Sequence, residues 1–388
     1  MRSSESGERI FRGCRLVLPD RVIYGTLTTR NGVIASLEEE KEGSDADDAP
    51  YLLPGLVELH TDHLEKCIAP RPGISWPLPS AILRYDRELF AAGITTACAA
   101  VAVRDIPGRP SPPDRVAAVV EALKTEREAG TLRADHRLHL RCEVTTPSAP
   151  DVLHTYLGDP MLSVVSLMDH APGQRQFVSR ERFRAYYGDR YGLRGEELDT
   201  YEQELLAEGP EGRAARRRRL ADAARAHGIA VASHDDATPE HALEAAREGV
   251  TLSEFPTTLA AAEAAKSVGL PILMGAPNIV LNRSHSGNAS AREAAAHGFL
   301  DLLSSDYAPH SLLEAAFLLH FEEGVPLPAA VAMVTSTPAR LIGLTDRGTL
   351  VPGLRADLVL VHTSPGRPCA IEAVYAAGEN GTRNLILS

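Results

Sequence analysis

The 388-residue sequence lacks the features that export, membrane insertion or disulfide stapling would need. No uninterrupted apolar run reaches the roughly 18 residues that a spanning helix requires. The opening MRSSESGERIFRG has no apolar stretch of signal-peptide length. Five cysteines, an odd number with no C-x-x-C pair, argue against a disulfide framework and fit a reducing compartment, so the cytoplasm is the expected location. Positive charge is also short. With 40 Lys and Arg against 52 Asp and Glu, the formal net charge is -12. That balance excludes a chain whose main work is gripping nucleic acid or an anionic membrane, and leaves a small-molecule partner. There is no internal repeat.

What is present is enough apolar material, 44% of the residues, to bury a full core. We expect one large domain with an appendage. The first fifty residues read as short strands, CRLVLPD, VIYGTLTTR and VIASLEE, with a hairpin signal at Asn31-Gly32. The charged loop EEEKEGSDADDAP then leads into the apolar strand YLLPGLVELHTD. Seven more apolar runs follow, at 93–101, 138–144, 164–170, 229–234, 249–255, 270–276 and 300–306, separated by helix formers such as Pro239 to Glu248. About eight alternating β and α units suggest a distorted (β/α)8 TIM-like barrel, with a doubly wound open sheet as the alternative. The tail, RGTLVPGLRADLVLVHTS and AVYAAGE, returns to strand and turn character. It is expected to join the N-terminal strands, so that 1–52 and 346–388 form a small β-sandwich around a barrel at 53–345. The polar stretch at about 171–228 is too long for a barrel connection and reads as a helical lid or flap.

Chemistry is expected where the strands end. His60 and Asp62 close the first barrel strand, Glu143 the third, His170 the fourth, His234 the fifth and Asp306 the eighth. In a (β/α)8 barrel all these ends converge on one rim. His60 and Asp62, two apart on a strand, share a side, whereas His63 turns elsewhere or starts the loop. Imidazoles and carboxylates together suit one or two divalent ions, zinc first, with manganese or iron as alternatives, and Glu143 is able to bridge a pair. Such an ion makes water a nucleophile near neutral pH, and Asp306 is placed to take the proton. Taken singly, a strand-terminal His or Asp is more often a cap than a ligand. Six in register with strand ends reverse that expectation.

Around this rim lie candidate substrate contacts. Arg71 and Trp76 follow strand one, and Arg175 follows His170. Glu254 ends the sixth run as a ligand or a partner behind one. His285 and Ser286 sit in SHSGNAS, whose small polar residues suit an anion. The basic run RAARRRR at 213–219 reads as a solvated helix face, or as one paired with the acidic stretch before it. An enzyme of this size is commonly a symmetric oligomer, so a homodimer is expected.

PGLVELHTD and GTLVPGLRADLVLV resemble the two ends of an amidohydrolase-superfamily chain, a likeness that spans nearly the whole sequence. More narrowly, HTDHLEK, PRPGISWP, SLMDHAPGQRQF, SEFPTT, SHSGNAS and SSDYAP resemble the diphosphatases of the carbon-phosphorus lyase pathway. The resemblance implies hydrolysis of a ribose 5-triphosphate bearing a 1-phosphonate, with release of pyrophosphate. His60-Thr61-Asp62 departs from the superfamily's usual His-x-His, and Glu143 stands where many members use a carboxylated lysine. Cleavage of a C–N bond in a small amide or cyclic imide stays open as the alternative. A catalytically silent scaffold is the third reading, and it would require broken ligand positions.

Overall fold

The computed structural model describes residues 7–41, 48–71, 73–177, 179–207, 209–283, 288–378 and 381–386. Strands β1 (Glu8–Val17), β2 (Val22–Arg30), β3 (Val33–Glu39) and β4 (Tyr51–Pro54) come first. The barrel strands are β5 (Leu56–Thr61), β6 (Ile94–Val103), β7 (Asp135–Glu143), β8 (Leu162–Met168), β9 (Ala230–His234), β10 (Leu252–Glu254), β11 (Ile272–Gly275) and β12 (Leu302–Ser304). The chain finishes with β13 (Leu358–His362), β14 (Ala370–Gly378) and β15 (Gly381–Ile386).

Strands β5 to β12 form one eight-stranded sheet with every ladder parallel, each strand beside its sequence neighbours. A parallel strand between a packed lumen and covering helices is buried on both faces, and so reads as a continuous apolar run. β6 (ITTACAAVAV) and β8 (LSVVSLM) are buried at every position. The lumen is filled by Val57, Leu59, Cys98, Val164, Ala232, Leu252, Leu273 and Leu302. β7 contributes His139 instead, fully buried. The surrounding helices start where the sequence supplies caps: Thr238 accepts from the His241 N–H and Thr258 from the Ala261 N–H.

Both chain ends build the second unit, a seven-stranded sheet of order β15-β14-β13-β4-β1-β2-β3. The β2–β3 turn uses Asn31 and Gly32 at φ 52° and 78°, the left-handed pair a two-residue hairpin requires. The sheet rolls so that β3 meets the segment before β13, through Ile34 N to Leu354 O at 2.9 Å and Gly353 N to Ile34 O at 2.8 Å. Phe11, Leu16, Leu27, Ile34, Leu52 and Leu358 pack within it. β4 belongs to this sheet and β5 to the barrel, so Gly55 is the joint. A Cβ there would lie 2.2 Å from Thr95 Oγ1, and only glycine fits.

The 171–228 stretch folds as helices Arg180–Tyr191, Gly195–Ala207 and Gly209–Ala226. The first two gather Phe183, Tyr187, Leu198, Tyr201 and Leu205 around Phe177 in a small core. The basic run is not simply a solvated face. Arg213 and Arg217 are buried, one 3.2 Å from Asp169 and the other 2.6 Å from Glu248, and Arg216 donates to the Val144 carbonyl. These contacts dock the last helix against the β7 and β8 ends.

Asp86, in the helix Leu78–Ala91, ties that helix to the start of β7. Its carboxylate accepts from Arg133 N at 2.9 Å, Ala134 N at 3.0 Å and His136 Nε2 at 2.9 Å. Burial pushes its pKa up, but these donors outweigh burial and hold it below the usual carboxylate range. A carboxyl depressed in the fold stabilises above its unfolded value, about 3.9, and that stability is lost as pH falls through the folded value. Asp86→Asn should therefore cost about 2–4 kcal/mol at pH 7. The gap between the two melting curves should narrow below about pH 4. A gap of equal size at pH 7 and pH 3 would show that the charge is not what matters.

Candidate metal centre

The barrel closes between β5 and β12 without a ladder. Among the described residues an isolated Thr61–Asp306 bridge joins them, reinforced by side chains. Glu58, fully buried, accepts from His60 N at 2.7 Å with one oxygen and from Ser305 N at 2.6 Å with the other. The Asp306 carbonyl accepts from the Thr61 hydroxyl at 2.9 Å and from Asp62 N at 3.1 Å, and the Ser304 hydroxyl donates to the His60 carbonyl. β5 bulges between Glu58 and Thr61. This stitching sets His60, Asp62 and Asp306 around one cavity, whose wall also includes His170 and His234. Asp62 occupies the cap position of the helix His63–Ile68 but makes no side-chain cap bond, so the ordinary capping role does not apply.

The buried carboxylates Glu143 and Glu254 stand behind the imidazoles. Glu143 accepts from His170 N at 2.9 Å and lies 2.7 Å from His170 Nδ1, with Arg104 Nε 3.4 Å away. Burial alone would raise its pKa, but His170 and Arg104 hold it below the usual range. Glu254 lies 2.7 Å from His60 Nδ1 and accepts from the Ser166 hydroxyl at 2.5 Å. Against its burial, chiefly His60 holds its pKa below the usual carboxylate range. A carboxylate holding one imidazole nitrogen leaves the other for an ion, the usual support behind a metal-bound histidine.

Among the described residues, two buried donor groups have ligand atoms within 4.8 Å of one another: His60, His139 and Glu254, and His170, His234 and Asp235. The first is already engaged. His139 lies 2.8 Å from the Leu59 carbonyl through Nδ1 and 2.5 Å from Ser166 Oγ through Nε2, and burial lowers its pKa to about 3, so it is neutral. In the second group Glu143 holds His170 Nδ1, and His234 Nδ1 and His170 Nε2 lie 2.9 and 3.5 Å from Asp235 Oδ2. His234 Nε2 and Asp62 Oδ1 are buried without a hydrogen-bond partner. Buried polar atoms are rarely left unpaired, because each costs about 1–3 kcal/mol. An imidazole and carboxylate set with open valences fits a divalent ion.

Asp235, Phe255 and Asp306 take φ of 57°, 53° and 50° just after β9, β10 and β12. Left-handed backbone at three non-glycine residues is strained, and here it clusters at one rim. The turn at Phe255 lays its ring edge-on to His60 and His234, at 5.0 and 5.6 Å between centroids.

The other anticipated residues are placed apart. Arg71 and Trp76 do not line this cavity: Arg71 faces a neighbouring groove and Trp76 is 52% exposed. Arg175 is buried on Asp236 and the His234 carbonyl, so it braces β9 instead of facing the cavity. Glu254 has no exposed surface and contacts His60 instead of the cavity. His285 and Ser286 lie outside the described residues. Conversely, the cavity wall includes Arg141, Tyr186, Arg190 and Asp235, which the strand-end reading passed over. Arg190, from the inserted helices, reaches Asp62 Oδ2 at 3.2 Å.

With this geometry in view, the comparisons with known proteins are informative. A family model described as "Amidohydrolase family" matches residues 198–373. The sequence is 43% identical over 359 residues to the alpha-D-ribose 1-methylphosphonate 5-triphosphate diphosphatase of Escherichia coli (strain K12), covering 91% of this chain and 95% of that protein. The chain belongs to the amidohydrolase family. The fold of this amidohydrolase is shared with 5-methylcytosine deaminase from Klebsiella pneumoniae (14% identity, TM-score 0.64, 95% of this chain and 97% of that one). An enamidase of the amidohydrolase superfamily is similar too (16%, 0.60, 97% and 100%). If Glu254 orients His60 in this amidohydrolase, Glu254→Gln should weaken metal affinity roughly 10–100-fold. Competition with a chelator measures it, and an unchanged affinity would remove Glu254 from the site.

Proposed function

We propose that this amidohydrolase is a metal-dependent diphosphatase that cleaves a phosphoanhydride of alpha-D-ribose 1-methylphosphonate 5-triphosphate, giving the 5-phosphate and pyrophosphate in phosphonate breakdown. The observation that carries the reading is the 43% identity, over nearly the full length of both chains, to a relative named for that reaction. Cation placement supports it. Arg141 and Arg190 face the cavity from opposite sources, one from the barrel and one from the insertion, and suit an oligophosphate.

His60, His170 and His234, with Asp62 and Asp235, would hold the ion, and Glu143 and Glu254 would fix the imidazoles. When bound, a divalent ion, zinc first among the candidates, supplies Lewis-acid activation of water and of a phosphoryl oxygen. Asp306 takes the proton from the attacking water, as a general base at the rim. Arg141 and Arg190 stabilise the charge that spreads over the phosphoryl oxygens. Tyr186 and Arg190, carried on the insertion, cover the cavity, and Phe255 makes its floor apolar around the imidazoles. Among the described residues no helix is long and apolar enough to cross a membrane, and all five cysteines are free thiols. Both facts are in keeping with work in the cytoplasm on a small anionic substrate.

Pyrophosphate release from the ribosyl 5-triphosphate by metal-loaded protein is the test. Asp306→Asn should lower kcat by roughly 10²–10⁴. Arg141→Gln should lower kcat/KM about 10–100-fold by removing a charged hydrogen-bond donor. Wild-type protein that holds metal yet releases no pyrophosphate, and cleaves only C–N bonds in a substrate screen, would overturn the assignment.

A further inference from the structure

Beside the metal cavity runs a groove lined by Arg71, Ile74, Ser75, Arg109 and Arg190, with no acidic residue among the described residues of its wall. Resting on the diphosphatase reading above, we infer that this groove is a second oxyanion site, holding the phosphonate end of the substrate while the triphosphate lies in the metal cavity.

Three observations carry the inference. Arg190, which pairs with Asp62 Oδ2 at 3.2 Å and Glu65 Oε2 at 2.5 Å, lines both spaces, so the groove adjoins the cavity across this side chain. Next, Arg71 and Arg109 expose their guanidinium groups and make no side-chain hydrogen bond or ion pair with any described residue. That contrasts with the buried arginines around the barrel rim, since Arg104, Arg175, Arg213 and Arg217 are each ion-paired. Two guanidinium groups lining one groove offer a tetrahedral oxyanion paired N–H donors. Finally, the loop that carries Arg71 is tied down. Ile74 N donates to the Arg71 carbonyl at 3.1 Å and Trp76 N to the Ile68 carbonyl at 2.7 Å, while Gly73 turns the chain at φ 76°.

On its other flank Arg109 borders a cleft with Asp105, Glu196, Glu197 and Glu204, none within ion-pair distance. Those carboxylates repel an anion, which leaves the groove side for it. A ligand with phosphoryl-type charge at both ends of a sugar matches a metal cavity and an arginine-lined groove that share Arg190. A substrate charged at one end would use only the first.

The test compares wild-type holoenzyme with R71Q/R109Q on two substrates, the 1-methylphosphonate 5-triphosphate and plain ribose 5-triphosphate. The double variant should lose at least about tenfold of the preference for the two-ended substrate, mainly through KM, as expected for removing charged donors to an oxyanion. An unchanged preference overturns the groove and leaves the diphosphatase reading standing. Calorimetric titration of both holoenzymes with methylphosphonate and with pyrophosphate separates the sources. Methylphosphonate binding weakened in the variant supports the inference, and weakening confined to pyrophosphate makes the groove a product site and overturns it. If wild-type protein releases no pyrophosphate from either substrate, the diphosphatase reading fails. The methylphosphonate titration then decides the groove: weakening in R71Q/R109Q supports it, and no binding, or equal binding, overturns it. Melting curves confirm that both proteins are folded.

Discussion

The Glu58 carboxylate is the constraint on which the rest of the active rim depends. It is fully buried and spans the junction of the first and last barrel strands, accepting from His60 N and from Ser305 N, residues 245 positions apart (305 minus 60). Burial raises its pKa, opposed by hydrogen bonds from Ser305 and His60, so the group is held where it is by donors and not by solvent. A barrel closed by a regular ladder would have placed β12 in register with β5 and directed the following residues along the strand. Closed by side chains and one bridge, it lets β5 bulge and β12 end early, which frees Asp62 and Asp306 to turn into the cavity.

The same economy runs around the rim. Each imidazole that faces the cavity is held from behind by a carboxylate or is left with open nitrogens, and the two arrangements are complementary. Glu143 and Glu254 stand behind His170 and His60, Asp235 stands beside His234, and His234 Nε2 and Asp62 Oδ1 carry the unsatisfied valences. The inserted helices add Arg190 to the Arg141 that the barrel supplies. They are able to do so because their aromatic core, around Phe183 and Tyr187, gives that helix its own support.

Much of this was legible in the sequence, for physical reasons. Strands buried on both faces must be apolar throughout, so the eight runs marked eight barrel strands. The rim followed because strand ends converge. Arg141 was readable too: in LHLRCEV the polar residues 139, 141 and 143 alternate with Leu138, Leu140 and Cys142, which pack on the helices. The buried stripe Arg213, Arg217, Leu220, Ala224 has helical spacing and carried the docking of the basic run in the same way. Arg190 had no such signal, since the insertion follows no barrel register. Nor did Glu58, whose partner strand lies at the far end of the chain. Asp235 was hidden because its position depends on a left-handed turn, and a strand pattern does not announce one.

That left-handed backbone also limits how the family can drift. At Asp235 and Asp306 only asparagine and glycine share aspartate's ease in the conformation, so a change of charge is available by a single conservative step. Phe255 is different. Glycine there would relax the turn but remove the ring that abuts His60 and His234, and any other large side chain would inherit the strain. An aromatic side chain at this turn thus couples a strained backbone to the ring packing on His60 and His234, and a relative without it would have to fill that part of the cavity wall from another strand.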